Sequence, residues 1–491
     1  MHTLIRHRRA IRNEKTQKPD MTEGRILGKI VLFILPLIAT NLLQMLYSAA
    51  DMMVVSLSSE ENAVGAIGTT NQLITLITNI FIGLAVGANV VVAQRIGARD
   101  EEGTSKAVHT ALLISVIAGV ASMLVGLIFS HPLLILMGAQ ENLLELATVY
   151  TQFYFIGVPF LSITNFLISI FRAKGDTRTP MIVLTCTGLF NVAFNLFFVL
   201  AVGLSVEGVA IATAIANFLS ASILTWRLSR DGSSCRFSFR KLRIEKKALR
   251  EVVVNGVPAG IQGALYALSN MLIMSSVLAV NNSLVPSGSG FEPIVKGNSA
   301  SSSLEGFPYF ATNAVYQAAI TFSGQHVGAK KYRRVWRVAG CCYFLTTLIA
   351  VVMAGVIRIF RQPFLAFYGV VPGAEGSLNA MAYAAADTRM LIMLTMYFLL
   401  GWMEVGSGLL RGLGRSFVST GVSLVGACLF RVVWIMTVFR AYGTLVSIYI
   451  SYPISWLLTA LAHFIFFTVF LTRMIRKQAK EIPPPDGEGL C

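Results

Sequence analysis

The chain has 491 residues, 55% of them hydrophobic and only 13% charged, with a mean hydropathy of +0.68. That balance excludes a soluble globular protein of this length and places the chain in a bilayer. A net charge of +16 raises nucleic acid as a partner, but the distribution of that charge, set out below, argues for a lipid bilayer and no nucleic acid.

In chain order, residues 1–24 form a basic tail (Arg6, Arg8, Arg9, Arg12, Lys15, Lys18) that lacks the apolar centre of a cleavable signal peptide. Met21 directly precedes the first apolar run, so translation from Met1 and from Met21 are both compatible with the sequence. Twelve apolar segments follow, at about 28–56, 63–93, 107–129, 144–171, 180–203, 206–228, 247–280, 296–323, 335–360, 379–410, 414–439 and 443–473. Each is long enough to cross a ~30 Å hydrocarbon core as a helix. Transmembrane β-strands are about half that length and alternate polar with apolar residues, which these segments do not. The expected fold class is an all-α polytopic membrane protein of twelve transmembrane helices. A charged stretch, 229–246, divides it into an N-lobe (25–228, helices 1–6) and a C-lobe (247–474, helices 7–12), with a tail over 475–491.

Lysine and arginine crowd alternate connections: Arg95/Arg99/Lys106, Arg172/Lys174/Arg178, 227–250, 330–337, Arg411/Arg415, and the tail with Arg473, Arg476 and Lys477. The intervening connections at 56–63, 131–145 and 203–208 carry none. This positive-inside pattern predicts both termini in the cytoplasm of a bacterial inner-membrane protein. Arg358, Arg361 and Arg440, at outer ends, depart from it. The polar stretch 281–296 reads as an outer loop. The 6 cysteines show no C-x-x-C spacing and read as buried apolar fillers.

The chain also repeats itself. AQRIGARDEEG at 93–103 returns as GQHVGAKKYRR at 324–334, and at one fixed separation Gln94 meets Gln325, Gly97 meets Gly328, Pro132 meets Pro363 and Gly138 meets Gly369. At a slightly longer one, FRAKG at 171–175 meets LRGLG at 410–414. Duplicated membrane halves usually mean a transporter.

Together with LYSAADMMVV, FRAKGDTRTP, NVAFN, GVAIATAIA, NGVPAGIQ and YPISWLLTAL, in this order and spacing, these motifs make the chain resemble the multidrug and toxic compound extrusion (MATE) transporters over about 25–475. The resemblance implies two six-helix lobes related by a pseudo-twofold axis along the membrane normal, around a cavity that opens to each side in turn. It also implies export of small amphipathic, often cationic, compounds driven by inward movement of Na⁺ or H⁺, with no bound cofactor. A monomer is expected.

An intramembrane carboxylate is costly, so Asp51, Glu305 and Glu404 are candidates for function. Asp51 lies roughly 9 Å from the outer end of helix 1, Asn195 about 10 Å from that of helix 5, and Thr213 is similarly deep in helix 6. Asn191 and Asn195 share one helix face. One acid, two amides and a hydroxyl at one depth suit a hard monovalent cation such as Na⁺, while Asp51 alone could carry a proton. The resemblance places an N-lobe cation site at these positions. The plainer reading is that the amides and hydroxyl only bond between helices.

Glu305, roughly 13 Å inside helix 8, and Arg431, at similar depth in helix 11, are expected to pair, as a static lock or a proton-sensitive gate, the lock being favoured. Glu404 in helix 10 and its counterpart Asn165 in helix 4 are expected to face the cavity, where Glu404 would attract cations; a water-exposed carboxylate is the alternative. Gln262, Tyr266 and Asn270 form an i, i+4, i+8 stripe on helix 7 that would line the cavity. Pro36 and Pro258 occupy matching places in helices 1 and 7 and are candidate hinges.

A lipid-linked oligosaccharide flippase of the same architecture would favour a strongly cationic cavity, and Arg431 and His463 are the basic residues noted inside helices. The chain has no H-E-x-x-H, G-x-S-x-G, Cys/His cluster or G-x-x-x-x-G-K-[ST], which argues against an enzyme and against direct ATP drive. His463 reads as a packed residue.

Overall fold

In the computed structural model the described residues are 21–56, 63–136, 140–285 and 292–481. The basic tail up to residue 20, the centre of the 281–296 loop and Cys491 lie outside them. Lipid offers no hydrogen bonds, so an apolar chain must satisfy its backbone internally, and among the described residues it does so as helix without a strand.

The twelve long helices are α1 (Ile26–Val55), α2 (Ala63–Gly97), α3 (Glu101–Leu136), α4 (Glu141–Ala173), α5 (Arg178–Ala201), α6 (Val206–Ser229), α7 (Lys246–Leu284), α8 (Pro293–Gly328), α9 (Tyr332–Ile359), α10 (Leu378–Thr395 and Tyr397–Gly412), α11 (Ser416–Tyr442) and α12 (Leu445–Glu481). The two parts of α10 meet at 49°. Wider i→i+5 turns end α5 at Phe197–Ala201 and interrupt α11 at Leu424–Leu429 and Ile435–Phe439. Among the described residues ten helices are long and apolar enough to span a bilayer, and the two parts of α10 together make an eleventh. α8 is the exception. Its polar residues Asn298, Ser301 and Glu305 are buried by neighbouring helices, so protein rather than lipid receives them.

Corresponding helices pack alike. α4 lies on α2, α3 and α6, as α10 lies on α8, α9 and α12; α1 runs beside α5 as α7 runs beside α11. The lobes exchange their first helices: α1 packs on α8, and α7 on α2. Ile30, Phe33 and Leu37 of α1 belong to a core with Phe322 and Leu409 of the C-lobe, whereas Val54 and Val55 join the N-lobe core. α7 mirrors this, with Ala248 and Val252 in the N-lobe core and Ile273 and Val277 in that of the C-lobe. Each helix therefore starts in one lobe and ends in the other.

The repeated motifs are helix stops at the basic end of the molecule. Arg99 and Lys330 both adopt left-handed backbone, φ 57° and 55°, and each closes the same cap. Asp100 N–H donates to Arg95 O and Arg99 N–H to Ile96 O; Lys331 N–H donates to His326 O and Lys330 N–H to Val327 O. The second landmark repeats the cap with glycine, Gly175 at φ 82° and Gly414 at φ 76°.

The same motifs join the lobes. Gln94 Nε2 donates across to Gly412 O at 2.9 Å, and Gln325 Nε2 to Ala173 O at 2.7 Å. Beside them Gly97 lies against the backbone of Gln325, and Gly328 against that of Gln94, so closely that a Cβ at either glycine would overlap it. The two halves are closed on each other at the basic end.

Two sequence expectations change. Arg358 and Arg361 flank Asp387, with Arg361 at 2.9 Å, so these outer arginines are part of an ion-pair cluster. Cys186 is exposed on α5 and is no core filler, whereas Cys235 and Cys342 are buried; the described cysteines form no disulfide. Cys235 lies in the connection between α6 and α7, where burial pushes its thiol up to about 12. That connection is strapped to α3 by Ser238 N–H donating to His109 Nε2 at 3.1 Å and Glu245 N–H to Thr110 Oγ1 at 3.0 Å.

Candidate functional site

In the N-lobe, α1, α5 and α6 bring four polar side chains into one chain of hydrogen bonds. Asn195 Nδ2 donates to Asp51 Oδ1 at 2.5 Å and makes a long contact of 3.4 Å with Asn191 Oδ1. Asn191 Nδ2 donates to Thr213 Oγ1 at 3.3 Å, and the Thr213 hydroxyl donates to Val209 O at 2.9 Å. Asn191 and Asn195 are buried, the latter with no exposed surface. Asn195 Oδ1 has no hydrogen-bond partner among the described residues. An amide oxygen has two lone pairs to fill, so this one is an open acceptor beside a carboxylate. The oxygens of Asp51, Asn191, Asn195 and Thr213 form a donor set that suits a small hard cation; Asp51 can equally take a proton that its neighbours stabilise.

The C-lobe is built differently. Glu305 does not pair with Arg431. Arg389, in the first part of α10, forks onto it: Nε donates to Oε1 and Nη2 to Oε2, both at 2.8 Å. Arg389 Nη1 donates to Asn298 Oδ1 at 2.8 Å, and Tyr397 Oη to the Glu305 carbonyl at 2.9 Å. Both charged side chains are only 8% exposed. Depth in the membrane fits Arg431 and Arg389 alike, but α8 packs along α10, and that adjacency decides the partner. Arg431 donates from Nε to Ser455 Oγ at 3.0 Å and stacks over Tyr452, 4.2 Å from its centroid.

Asn298, Glu305, Arg389, Tyr397, Arg431 and Tyr452 share a cavity of about 820 Å³, lined chiefly by α7, α8, α10, α11 and α12, with Thr75 and Asn79 of α2 also contributing. Its residues on α7 and α8 lie at mid-helix or toward the end opposite the basic one, away from the glutamine contacts. Tyr266, Asn270 and Glu404 line it. Gln262 does not: it is turned from the cavity and accepts from Arg411 Nη2 at 2.9 Å, while Arg411 Nη1 donates to Tyr316 Oη at 2.5 Å. A cation placed by the sequence at the helix end is thus buried in the protein and consumes one residue of the stripe. Asn165 is likewise absent from this cavity and donates to Leu161 O of its own helix at 2.9 Å.

Arg389 is the residue the sequence reading passed over, although an arginine well inside the 379–410 segment was itself the signal. His463 is packed, its ring nitrogens 3.1 Å from Met403 O and Ser419 O. α1 and α7 run unbroken through Pro36 and Pro258, and both prolines sit near the level where these helices leave the other lobe's core.

The MatE family model matches residues 36–197 and 258–437. A probable multidrug resistance protein of Bacillus subtilis, YoeA, is 24% identical over 84% of this chain and 87% of its own length. An FAD transporter of Shewanella oneidensis is 24% identical over 66% of this chain and 71% of its own. Among solved structures, a MOP superfamily transporter from Pyrococcus furiosus, described as having a binding pocket of reverse polarity, superposes with TM-score 0.84 at 19% identity, covering 94% of this chain and 99% of that one.

Proposed function

This chain belongs to the MATE family of multidrug efflux transporters, and from that premise we propose that it is an antiporter exchanging a coupling ion, Na⁺ or H⁺, at Asp51 for small amphipathic compounds carried in the C-lobe cavity. The observation that carries this reading is the hydrogen-bonded set Asp51, Asn195, Asn191 and Thr213, with its open acceptor on Asn195. None of these four residues lines the drug-sized cavity.

With the basic end in the cytoplasm, as the charge distribution argues, the cavity lies in the outer half and the glutamine contacts form the inner closure. Alternating access then breaks the Gln94–Gly412 and Gln325–Ala173 contacts, while α1 and α7 bend near Pro36 and Pro258. Asn165, in the opposing lobe, is reached by cargo only after such a change. One chain holds both lobes and both sites, which favours a monomer.

The cargo is not set by family membership, since relatives carry names as different as multidrug resistance protein and FAD transporter. A flippase for lipid-linked oligosaccharide has less support, because Glu305 neutralises Arg389 and the cavity that Arg431 lines is also lined by the carboxylate Glu404.

Ethidium efflux from reconstituted vesicles, with Na⁺ and proton gradients imposed separately, tests the reading. Wild type should transport under one gradient, and Asp51→Asn should insert normally and lose that transport. Undiminished export by Asp51→Asn would refute the ion site.

A further inference from the structure

We propose that the C-lobe cavity selects dipolar solutes: aromatic compounds bearing an amine cation at one end, received by Glu404, and a carboxylate or phosphate at the other, received by Arg431. The inference rests on the export reading and deepens it by naming the substrate class.

Four charged side chains line the cavity. Two of them, Glu305 and Arg389, satisfy each other through both oxygens of the carboxylate. The remaining two are left over, with opposite signs. Among the described residues Glu404 has no hydrogen-bond or ion-pair partner, and its side chain is partly exposed. Arg411, further along the same helix, is occupied with Tyr316 and Gln262. Arg431 spends one N–H on Ser455 and its face on Tyr452, and among the described residues no carboxylate lies within ion-pair distance of it.

Desolvating a charge without a partner is costly. A solute that is only a cation satisfies Glu404 and meets an uncompensated arginine in the same space. A solute that is only an anion meets the reverse. A dipole compensates both, and a cavity with no net charge accommodates it without residual field. Tyr266, Glu404 and Arg431 line the same cavity, so both leftover charges border one binding volume. The walls suit an aromatic body: Tyr397, Tyr452 and Trp456 stand edge to face, with centroids 5.9 and 5.8 Å apart.

Three dyes on one xanthene skeleton separate the possibilities: rhodamine 110, a cation with a free carboxylate; rhodamine 123, its methyl ester, a cation only; and fluorescein, an anion. Binding to the purified full-length protein is read by fluorescence polarisation, which needs no ion gradient. The expected order is rhodamine 110 tighter than rhodamine 123 by about tenfold, with fluorescein weakest, since one charge-assisted contact is worth about a decade in affinity. Arg431→Gln should cost rhodamine 110 about tenfold and leave rhodamine 123 unchanged or tighter. Arg431→Lys should restore the preference, which separates lost charge from lost packing. Glu404→Gln should weaken both cationic dyes alike. Rhodamine 123 bound as tightly as rhodamine 110, equal losses for the two dyes in Arg431→Gln, or no binding of rhodamine 110 would overturn the proposal. Failure of gradient-driven efflux with the dye order intact would count against the antiport reading alone.

Discussion

Asp51 in the N-lobe and Glu305 in the C-lobe are carboxylates inside the membrane, on helices that the pseudo-twofold arrangement brings together, yet their surroundings are opposite. Asp51 meets one amide N–H, and the amide's own oxygen is left open. Glu305 meets a forked guanidinium that Asn298 also holds, and its backbone carbonyl accepts from Tyr397. The first arrangement leaves an acceptor open beside the carboxylate; the second already contains its counter-ion as part of the chain. The two acids are not repeat equivalents, since α1 corresponds to α7 and α8 to α2, and on the proposed reading the neighbour each one meets, amide or arginine, separates a site for coupling from a lock.

The sharpest way to break that contrast is to remove the counter-ion. Arg389→Met leaves Glu305 charged and buried, and should destabilise the protein by about 3–5 kcal/mol, read as a drop in thermal unfolding temperature in detergent. The double variant Glu305→Met/Arg389→Met should recover most of that loss, because two apolar side chains carry no desolvation penalty. Asp51→Asn should by contrast change stability by less than about 1 kcal/mol, since the substituted amide can still bond Asn195. If Asp51→Asn were as destabilising as Arg389→Met, Asp51 would be a structural residue as well.

A smaller effect is expected where the two lobes meet. Gly328→Ala forces a methyl group into the backbone of Gln94 and should cost about 1–3 kcal/mol, with spin labels placed at the basic ends of the two lobes reporting a greater separation. Gln94→Ala removes only the bond to Gly412 and should cost about 1 kcal/mol with a lesser shift. The smallest effect belongs to the Asp387 cluster, where Arg361→Ala should cost about 0.2–1 kcal/mol, since both partners are partly exposed. Labels that do not move in Gly328→Ala would remove these contacts from the closure.

What the sequence made legible follows from how helices measure depth. A rise per residue and a period suffice to place Asp51, Asn191, Asn195 and Thr213 at one level, with both asparagines on one face, and the structure joins them by hydrogen bonds. They do not say which helix stands beside which. Glu305 was therefore assigned the arginine of matching depth on α11, although α8 lies along α10 and meets Arg389. Gln262 shows the same gap: its place in an i, i+4 stripe was readable, but Arg411 reaching inward to claim it was not. The bend at Met396 and the widened turns of α11 contain no proline, so local pattern had no marker for them. The repeat, by contrast, is legible in the sequence, and its physical role lies in the bonds that Gln94 and Gln325 make across the lobes.

The most direct test of the central claim, that the N-lobe acid couples and the C-lobe acid locks, is a side-by-side efflux measurement on Asp51→Asn and on Glu305→Met/Arg389→Met in vesicles under the driving gradient. The account predicts that Asp51→Asn loses gradient-driven transport while the double variant keeps its dependence on the gradient, whatever its rate. Gradient-driven transport that survives in Asp51→Asn and vanishes in the double variant would contradict it.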